Sequence, residues 1–148
     1  MSRSAREAVE GADVVCTITA ARTPVLEGAC LAPGTHVNAV GASLPSSREL
    51  DTAALVRSRL YVDRRESAMS EAGDFLIPRG EGALTDAHIL GELGELLAGQ
   101  VRGRTRPDEI TLFKSLGLAV EDVAALAHIH RQAQASGAGI PVTLGGLR

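Results

Sequence analysis

Residues 36–51 constrain the fold of this chain more than any other segment. The alternating, partly β-branched residues 35–40 predict a strand, and the small residues 41–43 then break that pattern. Pro45 prevents a return to regular strand pairing. In an open α/β sheet, small residues that follow a buried strand let a ligand approach the backbone at the carboxyl edge. The sequence therefore predicts a binding site at residues 40–43.

The rest of the chain alternates between strand and helix patterns, which is typical of a parallel sheet with crossover connections. Short apolar segments predict further strands at residues 13–18, 59–63 and 109–114, and a possible strand at residues 140–144. Helical patterns predict helices at residues 4–10, 26–31, 48–58, 67–72, 86–98 and 118–135, with a loop at residues 75–82. The predicted fold class is α/β, with a doubly wound parallel sheet that is only partly present.

Composition argues against several classes of function. The chain has 148 residues, 45% of them hydrophobic, which is enough for the core of one compact domain. A net charge of −3, dispersed basic residues and few aromatic side chains argue against a nucleic-acid partner. No apolar run approaches the roughly 20 residues of a membrane span, and the polar N-terminus predicts no signal peptide. Two cysteines fit a reducing compartment, so a cytoplasmic location is predicted.

Some conspicuous patterns favour structural roles. Residues 80–85 resemble the start of a dinucleotide fingerprint but lack its third glycine. His128 and His130 lie two positions apart on a predicted helix and point in different directions, and the cysteines have no partner at metal-ligand spacing. Glu92 and Glu95 are expected on the solvated face of a helix. The sequence therefore predicts no metal site.

Three segments remain as candidate ligand contacts. Thr17 ends the first predicted strand, where its hydroxyl and amide can meet a nucleotide or simply belong to the strand. Residues 40–43 end the second strand. Ser115 lies in residues 113–117 ahead of the long final helix, where exposed amides can bind an anion and where Ser115 can equally act as a cap.

A nucleotide-binding domain of this class begins with a strand, a glycine-rich turn and a helix. This chain begins inside a predicted helix and carries half of such a sheet. We therefore expect it to be a fragment of a larger enzyme. On that basis the isolated chain is expected to lack activity and to self-associate, because its first two strands would lose their neighbours.

The order of several segments resembles the ornithine cyclodeaminase/mu-crystallin family, and its mu-crystallin-like members most closely. These segments are residues 13–19, 36–51, 60–63, 71–74, 91–95 and 111–117. The resemblance covers the C-terminal half of the family pattern. It implies that residues 1–78 are the C-terminal half of a Rossmann-like domain. Residues 79–148 would form a helical segment that returns to an N-terminal domain and completes the substrate and dimerisation domain.

The resemblance also implies ligands and contact residues. Family members use NAD(H) or NADP(H), act on small imino or amino acids and form homodimers. The positions that align with cofactor contacts are Thr17, Val40, Gly41, Ala42, Ser43 and Ser115. Leu116 aligns with a substrate contact beside the nicotinamide. The family's glycine fingerprint and its substrate-binding arginine and lysine would lie upstream of Met1.

One departure from the family pattern separates the possible reactions. The cyclodeaminase branch has an aspartate at the position of Ser43 and a lysine at the position of Ser47, and a carboxylate there can act as a base. Ser43 has no visible base to activate it. The resemblance therefore implies an NAD(P)-dependent oxidoreductase of C=N or CH–NH bonds, similar to ketimine reductases, with Ser43 at the catalytic position as a hydrogen-bonding group. The alternatives are a cyclodeaminase-type lyase that releases ammonia and a catalytically silent, crystallin-like binding protein.

Overall fold

The structure is a computed structural model that describes residues 2–142 and residue 145. Contacts divide the chain into two compact units, Met1–Leu116 and Gly117–Arg148. The first unit contains five strands, β1 (Val14–Thr17), β2 (His36–Ala39), β3 (Ser58–Val62), β4 (Ile89–Glu92) and β5 (Ile110–Lys114). All pairings are parallel, and the order across the sheet is β1-β2-β5-β3-β4.

Short helices connect these strands. They are α1 (Ala5–Val9), α2 (Thr52–Val56), α3 (Arg65–Glu71), α4 (Gly73–Gly80) and α5 (Leu93–Leu97), with 3₁₀ turns at Gly28–Cys30 and Asp86–His88. The second unit contains α6 (Ala119–Ser136), which has no buried residue and ends at Gly137 in the left-handed conformation. In the described part of the chain, no helix combines the length and the apolar composition that crossing a membrane requires.

The core follows from the register of the central strands. Val37 of β2, Leu112 of β5 and Leu60 of β3 lie side by side across the sheet and are fully buried. Strands β3 and β5 are almost continuously buried, whereas the edge strand β1 alternates between exposed and buried positions. This difference is expected, because central parallel strands are covered on both faces.

The carboxyl ends of four strands lie at one level. Thr17 pairs with Ala39, Ala39 pairs with Lys114, and Lys114 pairs with Val62. The residues that follow these positions therefore share one edge of the sheet. Ligands of open α/β sheets bind outside this edge, so the fold places the predicted contact residues in the expected region.

The predicted parallel α/β sheet is confirmed. The strands predicted at residues 13–18, 35–40, 59–63 and 109–114 are all present, and each differs by at most one residue at either end. Their apolar patterns in the sequence were sufficient to predict them, because the pattern matches the burial of each strand. Central strands are buried along most of their length, and the edge strand β1 alternates between exposed and buried residues.

The prediction of one helix over residues 86–98 is wrong. This segment contains a 3₁₀ turn, then β4, then α5. Ile89 pairs with Leu60, and Gly91 pairs with Tyr61 of β3. The strand forms because this non-local pairing buries Ile89 and Gly91, and tertiary contacts of this kind override weak local propensity.

The prediction of a loop over residues 75–82 is also wrong. Helix α4 includes Pro78, although proline inside a helix normally interrupts it. Phe75 is fully buried in the hydrophobic core and Pro78 is buried as well, so burial of this face stabilises the helix despite the proline. The chain leaves the helix at Gly82, which has a positive φ of 76°.

The helix predicted at residues 48–58 starts later than expected. Asp51 accepts a hydrogen bond from the amide of Ala54 at 2.8 Å, so α2 begins at Thr52. Leu50 instead forms a parallel bridge with Leu26. The segment before α2 is therefore free to contribute side chains to the sheet edge.

The expected helical segment of residues 79–148 contributes β4 and β5 to the sheet, and the division between the two units falls after Leu116. Strand β3 pairs with both of these strands, which explains why they belong to the first unit. The assignment of residues 1–78 and 79–148 to two functional domains stays a prediction. Of the possible strand at residues 140–144, the first three residues have no regular structure, and residues 143 and 144 lie outside the described residues.

Candidate functional site at the carboxyl edge

An open cavity of about 470 Å³ lies where β1 and β2 end. We call it the carboxyl-edge cavity. One wall is the loop after β1, residues 18–22, and the other is the turn after β2, residues 40–44 together with Ser47. Most of these residues are small, so the backbone of both walls borders the cavity. Arg22 is the one charged side chain in the lining, as far as the described residues show.

Gly41 lies where the two walls meet, and its surroundings leave no room for a side chain. A Cβ atom on Gly41 would lie 2.2 Å from the carbonyl oxygen of Thr19 and 2.4 Å from the carboxylate of Glu49. Its φ is not positive, so glycine is required here by close packing rather than by backbone conformation. Steric exclusion of a side chain therefore explains why glycine occupies this position.

The Glu49 carboxylate is fully buried and accepts three hydrogen bonds from the cavity walls and the strand beneath them. Oε2 accepts from the Thr17 hydroxyl at 2.9 Å and from the Gly41 amide at 2.8 Å. Oε1 accepts from the Thr19 amide. These donors replace the water that burial removes, which makes a buried carboxylate tolerable. Glu49 therefore joins the end of β1 to the turn after β2.

Asp74 in the first turn of α4 fixes the backbone of Glu49. Its Oδ1 accepts from the amides of Glu49 and Leu50 at 2.8 and 3.0 Å. Its Oδ2 lies 3.2 Å from Nζ of Lys114, and both side chains are almost completely buried. Burial raises the pKa of the Asp74 carboxyl, and the neighbouring Lys114 ammonium opposes that rise. A series of buried polar contacts thus connects the end of β5 to Glu49.

Asp63, directly after β3, organises the neighbouring strand end. Its Oδ2 accepts from the Ser115 hydroxyl at 3.1 Å and from the Leu116 amide at 2.6 Å. The Ser115 amide donates to the carbonyl of Ala39 at 3.0 Å, so Ser115 lies beside the turn after β2. The alternative that Ser115 is the cap of the final helix is wrong, because the N-cap position of α6 is Leu118.

The structure brings only part of the predicted site into one cavity. Residues 40–43 line it. Thr17 is buried, and its hydroxyl donates to Glu49 instead of facing the cavity. Ser115 and Leu116 follow β5, which is the strand next to β2, and lie outside the lining.

Sequence reasoning missed Glu49, Asp74 and Lys114. Charged side chains are normally exposed, so their types gave no indication of burial. A usable signal was their position. Lys114 is the last residue of a predicted strand, and Glu49 follows another predicted strand in residues 36–51. These two residues and Asp74 all lie in segments that carry the family resemblance.

Other acidic and histidine side chains have structural partners. The prediction that Glu92 and Glu95 lie on the solvated face of one helix is wrong. Glu92 ends β4, and its amide donates to the Glu95 carboxylate at 2.8 Å at the start of α5. The ring nitrogens of His36 and His88 make hydrogen bonds within the fold.

Comparison with known proteins identifies relatives. A model of the ornithine cyclodeaminase/mu-crystallin family matches residues 1–137. Ketimine reductase mu-crystallin of Mus musculus is 48% identical over 122 residues, which cover 82% of this chain and 36% of that protein. A Delta(1)-pyrroline-2-carboxylate reductase of Bacillus thuringiensis subsp. konkukian is 41% identical over 137 residues, or 92% of this chain and 42% of that protein. The chain thus spans less than half the length of these relatives.

A solved structure has the same fold. Thermococcus litoralis Delta(1)-pyrroline-2-carboxylate reductase, in complex with NADH and L-proline, superposes with a TM-score of 0.91 at 42% identity. The superposition covers 95% of this chain and 44% of that protein. This similarity confirms the predicted Rossmann-like α/β fold.

Proposed function

The chain belongs to the ornithine cyclodeaminase/mu-crystallin family, and we propose that the protein containing it is an NAD(P)-dependent oxidoreductase of small imino acids. In this proposal it reduces the C=N bond of a cyclic ketimine that carries a carboxylate. The relatives support this reaction class, because one is named a ketimine reductase and two are named Delta(1)-pyrroline-2-carboxylate reductases. The sequence resemblance led to the same reaction class.

The carboxyl-edge cavity fits part of a nicotinamide cofactor, which supplies the hydride in such reactions. Small residues leave the backbone of both walls accessible, and Gly41 keeps the junction of the walls free of a side chain. The proposed cofactor contacts are Thr17, Val40, Gly41, Ala42, Ser43 and Ser115, and the proposed substrate contact is Leu116. Thr17 acts in this proposal through Glu49 and the adjoining backbone, because its hydroxyl is engaged.

The observation that carries the choice of reaction is the absence of a base from the cavity lining. The described lining residues include Arg22 but no carboxylate, histidine, cysteine or lysine. Glu49 is nearby, but its two oxygens already accept three hydrogen bonds. A lyase needs a group that takes a proton or activates water, whereas a reductase needs chiefly a positioned cofactor and substrate. Ser43 is exposed at the cavity and serves as a hydrogen-bonding group in this proposal.

Further features of the proposal follow from the family resemblance. Residues 1–78 belong to a nucleotide-binding domain, and residues 79–148 complete a substrate and dimerisation domain. The natural protein is a homodimer in this proposal. The two cysteines of this chain fit a reducing compartment, which supports a cytoplasmic location. The partners of the protein are a small imino or amino acid and the cofactor.

The test uses the natural protein that contains these residues. NADH and NADPH are added separately with Delta(1)-pyrroline-2-carboxylate, and nucleotide oxidation is followed by absorbance. Ornithine is then supplied with the oxidised nucleotide, and ammonia is measured. We expect nucleotide oxidation that depends on the ketimine, with no stoichiometric release of ammonia from ornithine.

Two other outcomes would contradict the proposal in different ways. Ammonia release from ornithine without net change in the nucleotide would establish the lyase. Nucleotide binding without turnover of any cyclic ketimine would favour a silent binding protein. The substrate is accordingly varied over five- and six-membered cyclic ketimines before the second outcome is accepted.

A further inference from the structure

Glu49 has a place in the candidate site that the proposed function leaves unassigned. It does not line the carboxyl-edge cavity, yet its carboxylate contacts both walls. The side chain is fully buried. Burial of an ionisable group is costly unless donors surround it, so this position requires an explanation.

Glu49 holds the loop after β1 at both of its ends. At the start of the loop, its Oε1 accepts from the amide of Thr19. At the far end, its backbone carbonyl accepts from the amides of Val25 and Leu26 at 2.8 and 3.0 Å. The cavity-lining residues 20–22 lie between these attachments, so the course of this wall depends on Glu49.

The same carboxylate holds the opposite wall. Its Oε2 accepts from the Gly41 amide at 2.8 Å, and a Cβ on Gly41 would lie 2.4 Å from this carboxylate. The turn is thus packed directly against Glu49. Since one side chain is bonded to both walls, a change in that side chain changes their separation.

We propose that Glu49 is a positioning residue that sets the separation of the two walls and thereby the affinity of the cavity for the nicotinamide cofactor. This inference rests on the proposed function. A carboxylate suits the role because both of its oxygens act only as acceptors, which matches three donors. A glutamine amide has one acceptor oxygen and would turn its NH₂ group toward at least one donor.

The test compares Glu49→Gln with Asp51→Asn in the natural protein. Asp51 provides a matched control, because its Oδ1 accepts from the amides of Gly28 and Ala54, both at 2.8 Å, and it lies outside both cavity walls. Nucleotide fluorescence gives the Kd for NADH and for NADPH. Amide hydrogen exchange over residues 18–26 and 40–47 is measured without nucleotide, and steady-state kinetics separates KM from kcat.

We expect Glu49→Gln to raise the Kd and the KM for the nucleotide by about tenfold to a hundredfold, the effect of losing a charge-assisted hydrogen bond, with a smaller change in kcat. Exchange should become faster in both segments. Asp51→Asn should lower thermal stability while leaving the Kd and the exchange of both segments close to those of the unaltered protein.

Unchanged exchange in both segments of Glu49→Gln would overturn the positioning role. Equal loss of affinity in the two variants would overturn it as well, because that result indicates a general loss of stability. If the unaltered protein binds neither nucleotide, the proposed function fails. Exchange alone then decides whether Glu49 holds the walls.

Discussion

The two edges of the sheet carry open cavities of nearly equal volume, about 470 Å³ at the carboxyl edge and about 480 Å³ at the amino edge. The second, which we call the amino-edge cavity, is lined by residues at the starts of β3 and β5 and by neighbouring loops. Among the described residues, its lining includes three arginines and two acidic residues, whereas the lining of the carboxyl-edge cavity includes one charged side chain. Charge alone would favour the amino edge as a ligand site.

The arginines at the amino edge have partners within the fold. Arg57 donates to the carbonyls of Gly28 and Leu31. Arg59 lies 3.5 Å from the Glu109 carboxylate, and Arg106 lies 3.2 Å from that of Asp108. Arg57 thus connects the strand start to a neighbouring loop, and the other two arginines are paired with acidic side chains of the same cavity lining. At the carboxyl edge, buried carboxylates accept hydrogen bonds from the loops on the side away from the cavity, and the backbone of those loops borders the cavity.

The comparison shows that volume and charge count do not identify a binding site. What distinguishes the carboxyl edge is a buried polar framework beneath an accessible backbone. Glu49, Asp63 and Asp74 accept from loop amides, so they preorganise the walls without entering the cavity. Preorganised backbone is what a ligand site requires, because less ordering accompanies binding.

The largest effect is expected from Lys114→Met, which leaves the buried Asp74 carboxylate without a cation. Removing one partner of a buried ion pair lowers the free energy of unfolding by about 3–5 kcal/mol. Urea unfolding measures this. The matched change at the amino edge, Arg106→Ala, breaks an exposed pair and should cost less than about 1 kcal/mol.

The double variant Lys114→Met with Asp74→Asn provides the control. It removes both charges, so it should recover a substantial part of the stability that Lys114→Met loses. Additive losses in the double variant would mean that the ion pair contributes nothing as a pair. The two edges would then not differ in the way described.

Gly41→Ala should produce the next largest effect. The new methyl group would collide with the Thr19 carbonyl and the Glu49 carboxylate, and overpacking of this kind costs about 1–3 kcal/mol. Nucleotide affinity should fall together with stability. In Gly80→Ala the added Cβ would meet no described atom within 4 Å beyond its chain neighbours and the local helix backbone, so stability should be unchanged or slightly higher. Calorimetry of both variants distinguishes a specific clash from a general intolerance of alanine.

Ser43→Asp tests the chemistry of the carboxyl-edge cavity. A carboxylate there would favour the oxidised, cationic nicotinamide and would supply a base. We expect ketimine reduction to slow by about tenfold and a trace of ammonia to form from ornithine, whose primary α-amine can leave as ammonia after oxidation by the nucleotide and hydrolysis of the imine. Steady-state kinetics in both directions across pH measures this. Ser46→Asp, an exposed position outside the lining, serves as the control.

Equal kinetics for Ser43→Asp and the unaltered protein would show that Ser43 does not face the reacting atoms. The role inferred from the family resemblance would then be abandoned. Slower reduction by Ser46→Asp to the same extent would point instead to a general effect of added negative charge.

The sheet and the turn at residues 40–43 could be predicted because their signals are local. Strand β4 could not, because Ile89 becomes strand only by pairing with Leu60, far away in sequence. The same limit applies to Glu49. Its donors Thr17 and Gly41 lie 32 and 8 residues away, and their convergence depends on the completed sheet.

The smallest effect concerns Glu109 at the amino edge. Its carboxylate accepts from the Thr105 amide, the Thr105 hydroxyl and the Arg106 amide, and Arg59 lies close by, which lowers the pKa of Glu109 to about 2. The pKa of Glu109 in the folded protein lies below the ordinary value of 4.5, so the ionised carboxylate stabilises the fold. This stabilisation is fully present above pH 4.5 and is lost as pH falls through about 2.

An NMR titration of the Glu109 side-chain carboxyl carbon measures this value. Thr105→Val removes the hydroxyl donor and should raise the midpoint while leaving nucleotide affinity unchanged. A midpoint near 4.5 in the unaltered protein would show that the amino-edge turn is not organised as described.

The most direct test of the difference between the two edges is to locate the backbone amides that a bound nicotinamide nucleotide protects from hydrogen exchange. Amide hydrogen exchange of the natural protein is measured with and without saturating NADH, and again with NADPH. We predict slower exchange at residues 18–22, 40–47 and 115–116, with no change at residues 57–59 and 106–110. Protection confined to the amino-edge segments, or protection of neither edge, would contradict the assignment of the carboxyl-edge cavity as the cofactor site.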